Sequence, residues 1–548
     1  MTDPHINRER PIRAGNSALQ TFLGSRPGRT RHLIIIGALA LCCLLHGPLL
    51  GRPMGASHEW LAAHTLNTHL VWRQVGLEAS HFSLLNSFPT PADRAVSSDL
   101  LRDAAGNSYF VSFPPLAFLL AHAYFQVTSL PPTPGALRIL GIIIQLVTSW
   151  LFYLIARRVM PERPEAVLTP ALVAFLVCLF NPLASYVFCN NYFPVTLVQP
   201  FWLAAIYFLL IYLETRKVWS LGAFVGASFA ACYTEWTADL FLFSVVLYAL
   251  TQLRSSRPWR ALAAGSVGVV MASNALVVWQ NSRIAGLQNY FHALWNRYAD
   301  RSGMFAGINP GLDYFSVGAY VSLVKHYLRG FGPVLLLAMA LLAILFVAQG
   351  AVKGTFARNH PRLALTFLLL GLPVVLDHGL LFNHAVVHDY TALKAVAFIS
   401  LLVGVLVGML EAHFAELPGG AAARLRMYTL CLATVILCIP AFMVEYYRTP
   451  PAWDDMRLGL SLKQTARPTD ALLMLSSPFL IEENPIVAYY SGRDFRVFDA
   501  PCDMLQWARS HPDLHAALVK VDSSRQVSSY SAITQEEIAQ ALPGCPSR

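Results

Sequence analysis

The stretch ALRILGIIIQLVTSWLFYLIARR, residues 136–158, decides the fold. Between Arg138 and the pair Arg157-Arg158 it contains no charged residue. An apolar run of about 20 residues is long enough to cross the hydrocarbon core of a bilayer as a helix. The stretch therefore predicts a membrane-spanning helix that ends in two arginines.

The composition of the 548-residue chain indicates that much of it faces lipid. Hydrophobic residues make up 55% and charged residues 13%, against roughly 25% charged residues in an average soluble domain, and the mean hydropathy is +0.48. These values exclude a cytosolic enzyme, a disordered chain and a secreted disulfide scaffold. The net charge of +9 is expected to reflect cytoplasmic loops rather than a nucleic-acid partner, because lysine and arginine accumulate there in membrane proteins.

Apolar windows of about 20 residues predict about eleven transmembrane helices. They lie near 33–50, 136–156, 166–184, 197–213, 219–234, 238–253, 261–280, 331–349, 363–382, 391–411 and 427–445. If the amino terminus is cytoplasmic, the tail and the loops on its side carry nineteen lysines and arginines, whereas the short opposite loops carry none. This asymmetry predicts a cytoplasmic amino terminus and an extracytoplasmic carboxyl terminus.

One further apolar segment, from Phe113 to about Leu130, would invert every later loop if it were counted as a span. It is interpreted as a helix at the outer interface, with Pro114 and Pro115 in its first turn, where a missing N–H costs little. The expected divisions are a cytoplasmic tail at 1–31, a transmembrane domain at 32–445 with outer loops 51–112 and 281–330, and an extracytoplasmic segment at 446–548.

The carboxyl-terminal segment is expected to be a small α/β unit. Its apolar runs 471–475 and 486–493 alternate with helical patterns such as 503–519, which predicts strands and short helices. Cys502 and Cys545 lie in this segment and could pair if it is outside the cytoplasm. The sequence contains no phosphate-binding glycine loop, no Rossmann fingerprint and no serine nucleophile elbow.

Ionisable residues gather at the outer ends of the predicted helices, and such groups tend to mark function because they are costly at membrane depth. They are His58, Glu59, Arg138, Glu235, Asp239, Asp377, His378, His384, His388, Asp389, Tyr390 and Lys394. The carboxylates could deprotonate a hydroxyl or hold a divalent cation, and the cations could grip a phosphate. A glycosyl transfer needs both. Since the outer compartment offers no nucleotide sugars, the donor is expected to be a polyprenyl phosphate sugar from the membrane.

Several short stretches resemble one group of membrane enzymes. They are the acidic opening of the first outer loop, the run YFVSFPPL at 109–116, Arg138 at the start of a helix that closes in two arginines, and the run YYSGR at 489–493. This layout is similar to the GT-C integral-membrane glycosyltransferases, and among them to the bacterial branch of the protein O-mannosyltransferase and aminoarabinose transferase group. The resemblance implies a polyprenyl-phosphate-sugar donor, inversion at the anomeric carbon and a catalytic carboxylate in the first outer loop.

By that resemblance Glu59 is expected to be the general base for the acceptor, or the ligand of a metal that holds the donor phosphate. Family members often have Asp-Glu or Asp-x-Asp at this point, whereas this chain has His58-Glu59. The departure leaves open whether His58 assists, and whether a divalent cation such as Mg²⁺ or Mn²⁺ is used, although the sequence requires none. Arg138 is assigned to the donor phosphate or to locking the loop.

The other residues assigned to sugar or phosphate contact are His388, Asp389, Tyr390, Lys394 and Glu235. Each assignment has a structural alternative. Glu59 could be a charge at a helix N-terminus, Arg138 could snorkel, Glu235 and Asp239 could cap a helix, and the histidine group could anchor the interface or bind a metal. Five aromatic residues could stack on sugars or belong to an interfacial belt: Trp60, Trp72, Tyr290, Trp295 and Tyr298.

The leading hypothesis is a glycosyltransferase of the bacterial inner membrane that moves a hexose or pentose to an outer acceptor, whether lipid, lipid-linked glycan or protein. The compartment is inferred because the sequence contains no Asn-x-Ser/Thr site and no endoplasmic reticulum retention signal. The rival hypothesis is a transporter or lipid flippase without catalysis, although transporters usually show internal repeats and polar groups near mid-membrane. A third is a scaffold within an envelope-assembly complex.

Overall fold

The computed structural model describes residues 27–55, 58–97, 101–160, 166–252, 257–303, 316–348, 361–448, 451–477, 480 and 483–541. Over these residues the chain is a bundle of apolar helices with a small α/β domain at one end. The helices of the bundle and its loops are Pro27–His46, Trp60–Val75, Pro91–Val96, Leu116–Thr128, Pro134–Val159, Pro170–Leu179, Pro182–Asn190, Pro194–Thr215, Val218–Cys232, Thr237–Gln252, Arg257–Ala285, Leu287–Ser302, Val317–Ala348, Pro361–Leu380, Phe382–Val387, Val396–Ala415 and Gly420–Arg448, with 3₁₀ turns at Gly47–Leu49 and Asp389–Ala395. The predicted fold class, a helical multi-pass membrane protein, is confirmed.

Eight helices among the described residues are long and apolar enough to cross a membrane, and the pair Pro170–Leu179 and Pro182–Asn190, bent by 47°, forms a ninth candidate. Each of the eleven predicted windows coincides with one of these or with two shorter helices, Val218–Cys232 and Thr237–Gln252. The shorter helices have 15 and 16 residues, which gives roughly 24 Å against a hydrocarbon core of about 30 Å. Length therefore separates these two from the other nine.

Three helices of the bundle begin with the same short sequence motif, a capping residue followed by proline. The side chains of Thr133, Thr169 and Asn181 accept hydrogen bonds from backbone N–H groups of their helices at 3.2, 3.2 and 3.0 Å. In each case proline comes next and supplies a first helical residue that needs no N–H partner. The motif Asn181-Pro182 begins the second helix of the bent pair, and it therefore fixes the position of the bend.

Three loops that were predicted to be cytoplasmic meet at one end of the bundle. Glu214 pairs with Arg158 at 3.0 Å and with Arg362 at 2.7 Å. These ion pairs join the ends of helices Pro134–Val159 and Pro194–Thr215 to the start of helix Pro361–Leu380. The three loops thus lie at the same end of the bundle, as their predicted common side of the membrane requires. The candidate site residues lie at the opposite end.

The helix predicted between Phe113 and Leu130 is present, and one segment predicted to be an outer loop contains more helix than expected. Helix Leu116–Thr128 has 13 residues, so it spans roughly 20 Å, and Pro114 and Pro115 lie just before it rather than within its first turn. The segment 281–330 contains the end of helix Arg257–Ala285, the whole of helix Leu287–Ser302 and the start of helix Val317–Ala348. Apolar windows did not detect this because the middle helix is amphipathic.

The carboxyl-terminal domain contains helices Trp453–Thr465, Pro485–Ser491, Pro501–Ser510 and Gln535–Ala541 around a four-stranded sheet. Strand Asp470–Leu475 pairs in parallel with Phe495–Phe498 and with His515–Val521, and the latter pairs antiparallel with Val527–Ile533. The α/β prediction is confirmed, but most of the run 486–493 belongs to helix Pro485–Ser491, and the helical pattern 503–519 ends in a strand. That strand was missed because alternation in His515–Val521 is weak, with Ala516 and Ala517 both buried.

The carboxyl-terminal domain contacts the loop that carries His58 and Glu59. The N–H of Ala452 donates to the carbonyl of Met54 at 2.8 Å, and Gly55 forms an antiparallel bridge with Pro451. Farther out, Arg493 pairs with the buried Asp93 at 2.9 Å. The domain therefore holds the first loop from one side, and the helices hold it from the other.

Candidate functional site

Glu59 lies in a closed cluster just before helix Trp60–Val75. Its carboxylate is 0% exposed and accepts four hydrogen bonds. Oε1 accepts from Arg52 at 3.0 Å and from the hydroxyl of Tyr186 at 3.2 Å, while Oε2 accepts from the N–H of Gly55 at 2.6 Å and from Arg138 at 3.2 Å. A buried carboxylate with both oxygens occupied in this way has no open position toward an acceptor.

Arg138 is the organising cation of that cluster. It is 3% exposed and donates to the side chain of Asn190 at 3.2 Å as well as to Glu59. Its remaining donors reach a row of backbone carbonyls, those of Leu49, Leu50, Arg52 and Pro53. Because these bonds use the guanidinium fully, the geometry favours the locking role over a direct contact with donor phosphate.

A second closed cluster surrounds Lys394. Its ammonium lies 2.8 Å from Glu235 and 2.8 Å from Asp377, and Thr237 donates to the same Asp377 carboxylate at 2.8 Å. All four side chains are buried. The cluster ties the turn between two short helices to helix Pro361–Leu380 and to the 3₁₀ turn Asp389–Ala395, so Glu235 and Lys394 contact each other rather than an open site.

An open cavity of about 170 Å³ lies between these clusters. Its lining combines aromatic and polar side chains. The aromatic residues are Trp60, Phe110, Phe113, Phe193 and Tyr390, and the polar ones are Arg297, Asp300, Arg301, Asn383, His384 and His388. Two of the predicted contact residues, His388 and Tyr390, therefore line the cavity, whereas Glu59, Arg138, Glu235 and Lys394 do not.

His58 stands at the edge of this cavity. Its ring centroid lies 5.2 Å from that of His388 and 5.2 Å from that of Tyr390, and its Nε2 lies 3.5 Å from a carboxylate oxygen of Asp389. The side chains of His58 and Asp389 are 20% and 18% exposed. His58 also adopts a left-handed backbone conformation with φ 55°, which costs a residue with a Cβ on the order of 1 kcal/mol.

The electrostatics keep the cavity histidines neutral. Burial lowers the pKa of His58, and the nearby Asp389 carboxylate partly offsets this. Burial lowers the pKa of His388 to about 3, with a further contribution from His58, and holds the pKa of His384 well below its usual value. A neutral imidazole can accept a proton. His58 could therefore act as a base, and the Asp389 carboxylate next to it could stabilise the imidazolium that forms.

A smaller cavity of about 20 Å³ adjoins the other side of Asp389. Arg329 lies there, 3.6 Å from the second carboxylate oxygen of Asp389, and His326 lines the same space. Asp389 therefore stands between His58 and Arg329 and can bias the charge of both.

The sequence analysis missed Arg297 and Arg301. Both guanidiniums lie over aromatic rings, Arg297 at 5.8 Å from Phe110 and Arg301 at 4.5 Å from Phe113. Arg301 also donates to the carbonyl of Ser112 at 3.4 Å. Within the described part of the chain neither forms an ion pair with a carboxylate. Their spacing of four residues in an amphipathic stretch was the available signal, since such residues share one face of a helix.

The other predicted residues have structural positions. Trp60 lines the cavity, whereas Trp72 and Tyr290 are buried elsewhere and Trp295 is 56% exposed with Tyr298 beside it. Asp239 accepts from Asn274 at 3.4 Å within the bundle. Cys502 is disulfide-bonded, and Cys545 lies outside the described residues, so their pairing stays a prediction.

Comparisons with known proteins agree with this architecture. Residues 112–279 match the family described as dolichyl-phosphate-mannose-protein mannosyltransferase. The structure is similar to that of ArnT from Cupriavidus metallidurans bound to undecaprenyl phosphate, with a TM-score of 0.55, 14% identity, and coverage of 92% of this chain and 94% of that one. The chain has the GT-C fold.

The GT-C fold is also shared with the oligosaccharyltransferase AglB from Archaeoglobus fulgidus, solved with an inhibitory peptide and a dolichol-phosphate. The TM-score is 0.54 at 10% identity, over 88% of this chain and 69% of that one. Another AglB structure, with Zn and sulfate, matches with a TM-score of 0.50 at 13% identity, over 88% of this chain and 68% of that one. No curated protein sequence matches the chain at a significant level. The resemblance seen in the sequence is confirmed, and the chain is a multi-pass membrane protein with the GT-C fold.

Proposed function

We propose that this protein is a glycosyltransferase that moves a sugar from a polyprenyl-phosphate donor to an extracytoplasmic acceptor. One observation carries the proposal. The cavity is lined by two arginines that form no ion pair with a carboxylate among the described residues. Beside it lies His58, whose pKa burial lowers and whose Nε2 faces Asp389. These are the groups that a phosphate leaving group and a hydroxyl acceptor require.

The donor phosphate is assigned to Arg297 and Arg301. Both line the cavity, and an arginine that is not neutralised by a carboxylate offers a planar fork of donors to phosphate oxygens. The solved proteins of the same fold were captured with undecaprenyl phosphate and with dolichol-phosphate, which supports a lipid-borne phosphate for this chain. The aromatic wall of the cavity, including Trp60 and Phe110, can pack against the sugar.

The acceptor is assigned to the side of His58. The imidazole takes the proton of the acceptor hydroxyl as that oxygen bonds to the anomeric carbon, and the bond from this carbon to the phosphate oxygen breaks. The phosphate leaves with the electron pair toward the arginines. The imidazolium formed is stabilised by Asp389, 3.5 Å away. A single displacement of this kind inverts the anomeric configuration, and the acceptor can be a lipid-linked glycan or a protein.

Glu59 and Arg138 are proposed as positioning residues. Their closed cluster fixes the backbone from Leu49 to Gly55 and the start of helix Trp60–Val75, and so places His58, the residue just before Glu59. Lys394 and Glu235 hold the turn that carries Asp389 and Tyr390 in the same manner. This division gives the two predicted catalytic residues different roles, with the proton transfer at His58.

A divalent cation does not fit the described residues of the cavity. Among them no three histidine, cysteine, aspartate or glutamate side chains converge to hold a metal ion. Asp300 lines the cavity, and Asp389 lies 3.5 Å from His58 and 3.6 Å from Arg329. Magnesium and manganese prefer several oxygen ligands, so no step of the proposed transfer is derived through a metal.

The sidedness is part of the proposal. The loops joined by Glu214 carry the excess of lysine and arginine, which supports a cytoplasmic position for them and, for the cavity at the opposite end, the outer side of a bacterial inner membrane. Cysteine substitutions at Phe82, which is 39% exposed, and at Lys217 in an exposed loop test this with a membrane-impermeant thiol reagent. Labelling of intact cells is expected at position 82 only, and labelling at 217 alone would overturn the assignment.

The activity is tested with purified protein in lipid nanodiscs and a labelled polyprenyl-phosphate sugar, offered with lipid, glycan and protein fractions from cells that lack the gene. Transfer of label to one fraction is expected, and His58→Ala should slow turnover by about a hundredfold, the usual contribution of a general base. His292→Ala, at an exposed histidine away from the cavity, serves as the control. Movement of donor across the membrane without transfer would overturn the proposal in favour of a transporter.

A further inference from the structure

Helix Leu287–Ser302 presents three chemically different sides. One side faces the protein and the cavity. The second carries three large apolar side chains, Leu287, Phe291 and Trp295, which are 53%, 50% and 56% exposed. The third carries exposed polar residues such as Asn289 and His292. At 100° per residue the centres of these sides lie roughly 120° apart.

The apolar side needs an occupant. Contiguous exposed aromatic and aliphatic residues on one face of a helix are uncommon where that face meets water. A helix lying in the surface of a bilayer has the observed arrangement, with apolar residues toward the acyl chains and polar residues toward water. Here the remaining side packs on the protein through Tyr290 and Ala293, both buried.

Helix Leu287–Ser302 is joined directly to a candidate membrane span. Helix Arg257–Ala285, one of the candidate spans, ends at Ala285 and exposes Trp279 by 55%. Only Gly286 separates the two helices. The exposed apolar side of Leu287–Ser302 therefore begins where a span with exposed apolar side chains ends.

We infer that helix Leu287–Ser302 is inserted in the outer leaflet through Leu287, Phe291 and Trp295. The same helix carries Arg297 and Arg301 on its cavity side. Its depth in the leaflet therefore sets the height of both guanidiniums relative to the lipid headgroups.

A consequence for the substrate follows, and it rests on the proposed function. The helix is about 10 Å across, and an interfacial helix sinks about 5–10 Å into the boundary between headgroups and acyl chains. Arg297 and Arg301 are then held at headgroup level, where the phosphate of a membrane-anchored carrier lies. A donor whose short chain leaves it in water gains nothing from that placement.

The lipid contact is tested by placing the photo-crosslinker p-benzoylphenylalanine at Phe291 or Trp295, with Asn289 or His292 as matched controls on the water side. Each protein is irradiated in phosphatidylglycerol and phosphatidylethanolamine nanodiscs and analysed by mass spectrometry. Phospholipid adducts are expected at the first two positions and not at the controls. Equal labelling at all four positions, adducts to a second copy of the chain, or no phospholipid adduct at either apolar position would overturn the inference.

The height of the arginines is tested by Trp295→Glu with His292→Glu as control, both checked for unchanged thermal unfolding. A charge near the interface disfavours insertion, so Trp295→Glu should raise KM for the long-chain donor by about fivefold and leave KM for a short-chain, water-soluble analogue unchanged. An equal effect on both donors, or none, would overturn the role of depth. If the unmodified protein transfers from neither donor, the proposed function fails while the crosslinking result still decides the lipid contact.

Discussion

Arg138 and the pair Arg297 and Arg301 show how differently one residue type is used at the same end of the molecule. Arg138 is buried against a carboxylate and a row of carbonyls, so its charge and its donors are consumed by the fold. Arg297 and Arg301 lie over aromatic rings and have no carboxylate partner among the described residues. We therefore assign the phosphate to the two arginines that have no carboxylate partner among the described residues, rather than to Arg138.

The comparison extends to His58 and Glu59, which are neighbours in sequence but differ in environment. Glu59 is closed off, with four hydrogen bonds to its carboxylate, whereas His58 borders the cavity and faces Asp389. Catalytic groups need access to the substrate and a pKa suited to proton transfer. His58 lies beside the cavity residues His388 and Tyr390, and we propose it, rather than Glu59, for the proton transfer. The cluster around Glu59 therefore forms a closed structural frame, and the cavity beside His58 forms the open site.

The largest effect is expected from breaking the closed cluster. Glu59→Ala removes the buried carboxylate that pairs with the buried Arg138, and breaking such a pair typically costs about 3 kcal/mol or more. Thermal unfolding of the purified protein should shift strongly downward, and transfer should be lost with it. Glu59→Gln keeps the shape and is the matched control, with a smaller shift. A variant that melts normally but does not transfer would show that Glu59 is the base after all.

Substitutions in the open site should instead lower donor affinity and leave stability nearly unchanged. Arg297→Ala and Arg301→Ala each remove a charged donor from the phosphate, worth about 1.5–3 kcal/mol, so donor affinity should fall by about tenfold to a hundredfold while thermal unfolding changes little. Binding of a fluorescent polyprenyl phosphate measures this. Arg283→Ala, an exposed arginine stacked on Trp279, is the matched control. Unchanged affinity in both cavity variants would remove the phosphate assignment.

These two regions also separate what the sequence could predict from what it could not. The helices follow from apolar runs and from caps such as Thr133-Pro134, which are local signals. The closure of Glu59 depends on Tyr186 and Arg138, which are 127 and 79 positions away, and no local pattern announces such contacts. Arg297 and Arg301 were within reach, because their spacing of four is a helical signal in a segment that was treated as a loop.

The pH dependence of transfer sharpens the assignment of His58. The base must be neutral, so kcat/KM should fall on the acid side as the pH drops through the pKa of His58, which burial lowers. Asp389 favours the imidazolium, so Asp389→Asn should move this acid limb to lower pH by about one unit. Arg329→Gln removes a nearby positive charge and should move it to higher pH.

Three other histidines belong to this group of side chains, together with Tyr390, whose phenol has a pKa raised by burial. The pKa of His388 is lowered to about 3, and the pKa of His384 is also well below its usual value, so neither competes in this pH range. His326 lies beyond Asp389, and its like charge would lower the pKa of His58. His326→Gln should therefore move the limb in the same direction as Arg329→Gln. Shifts of one sign in all three variants would contradict the pair of His58 and Asp389.

The smallest effect is expected where an ion pair is neither buried nor next to the cavity. Arg457 and Asp454 pair at 2.9 Å on the carboxyl-terminal domain, with side chains 50% and 55% exposed. Water and ions screen such a pair, so Arg457→Ala should change the free energy of unfolding by less than about 0.5 kcal/mol. An effect as large as that of Glu59→Ala would mean that burial does not distinguish the frame from other charged pairs. If Arg457→Ala leaves the free energy of unfolding unchanged, the loss of an ion pair is not costly by itself. The destabilisation caused by Glu59→Ala would then come from leaving a buried charge without its partner.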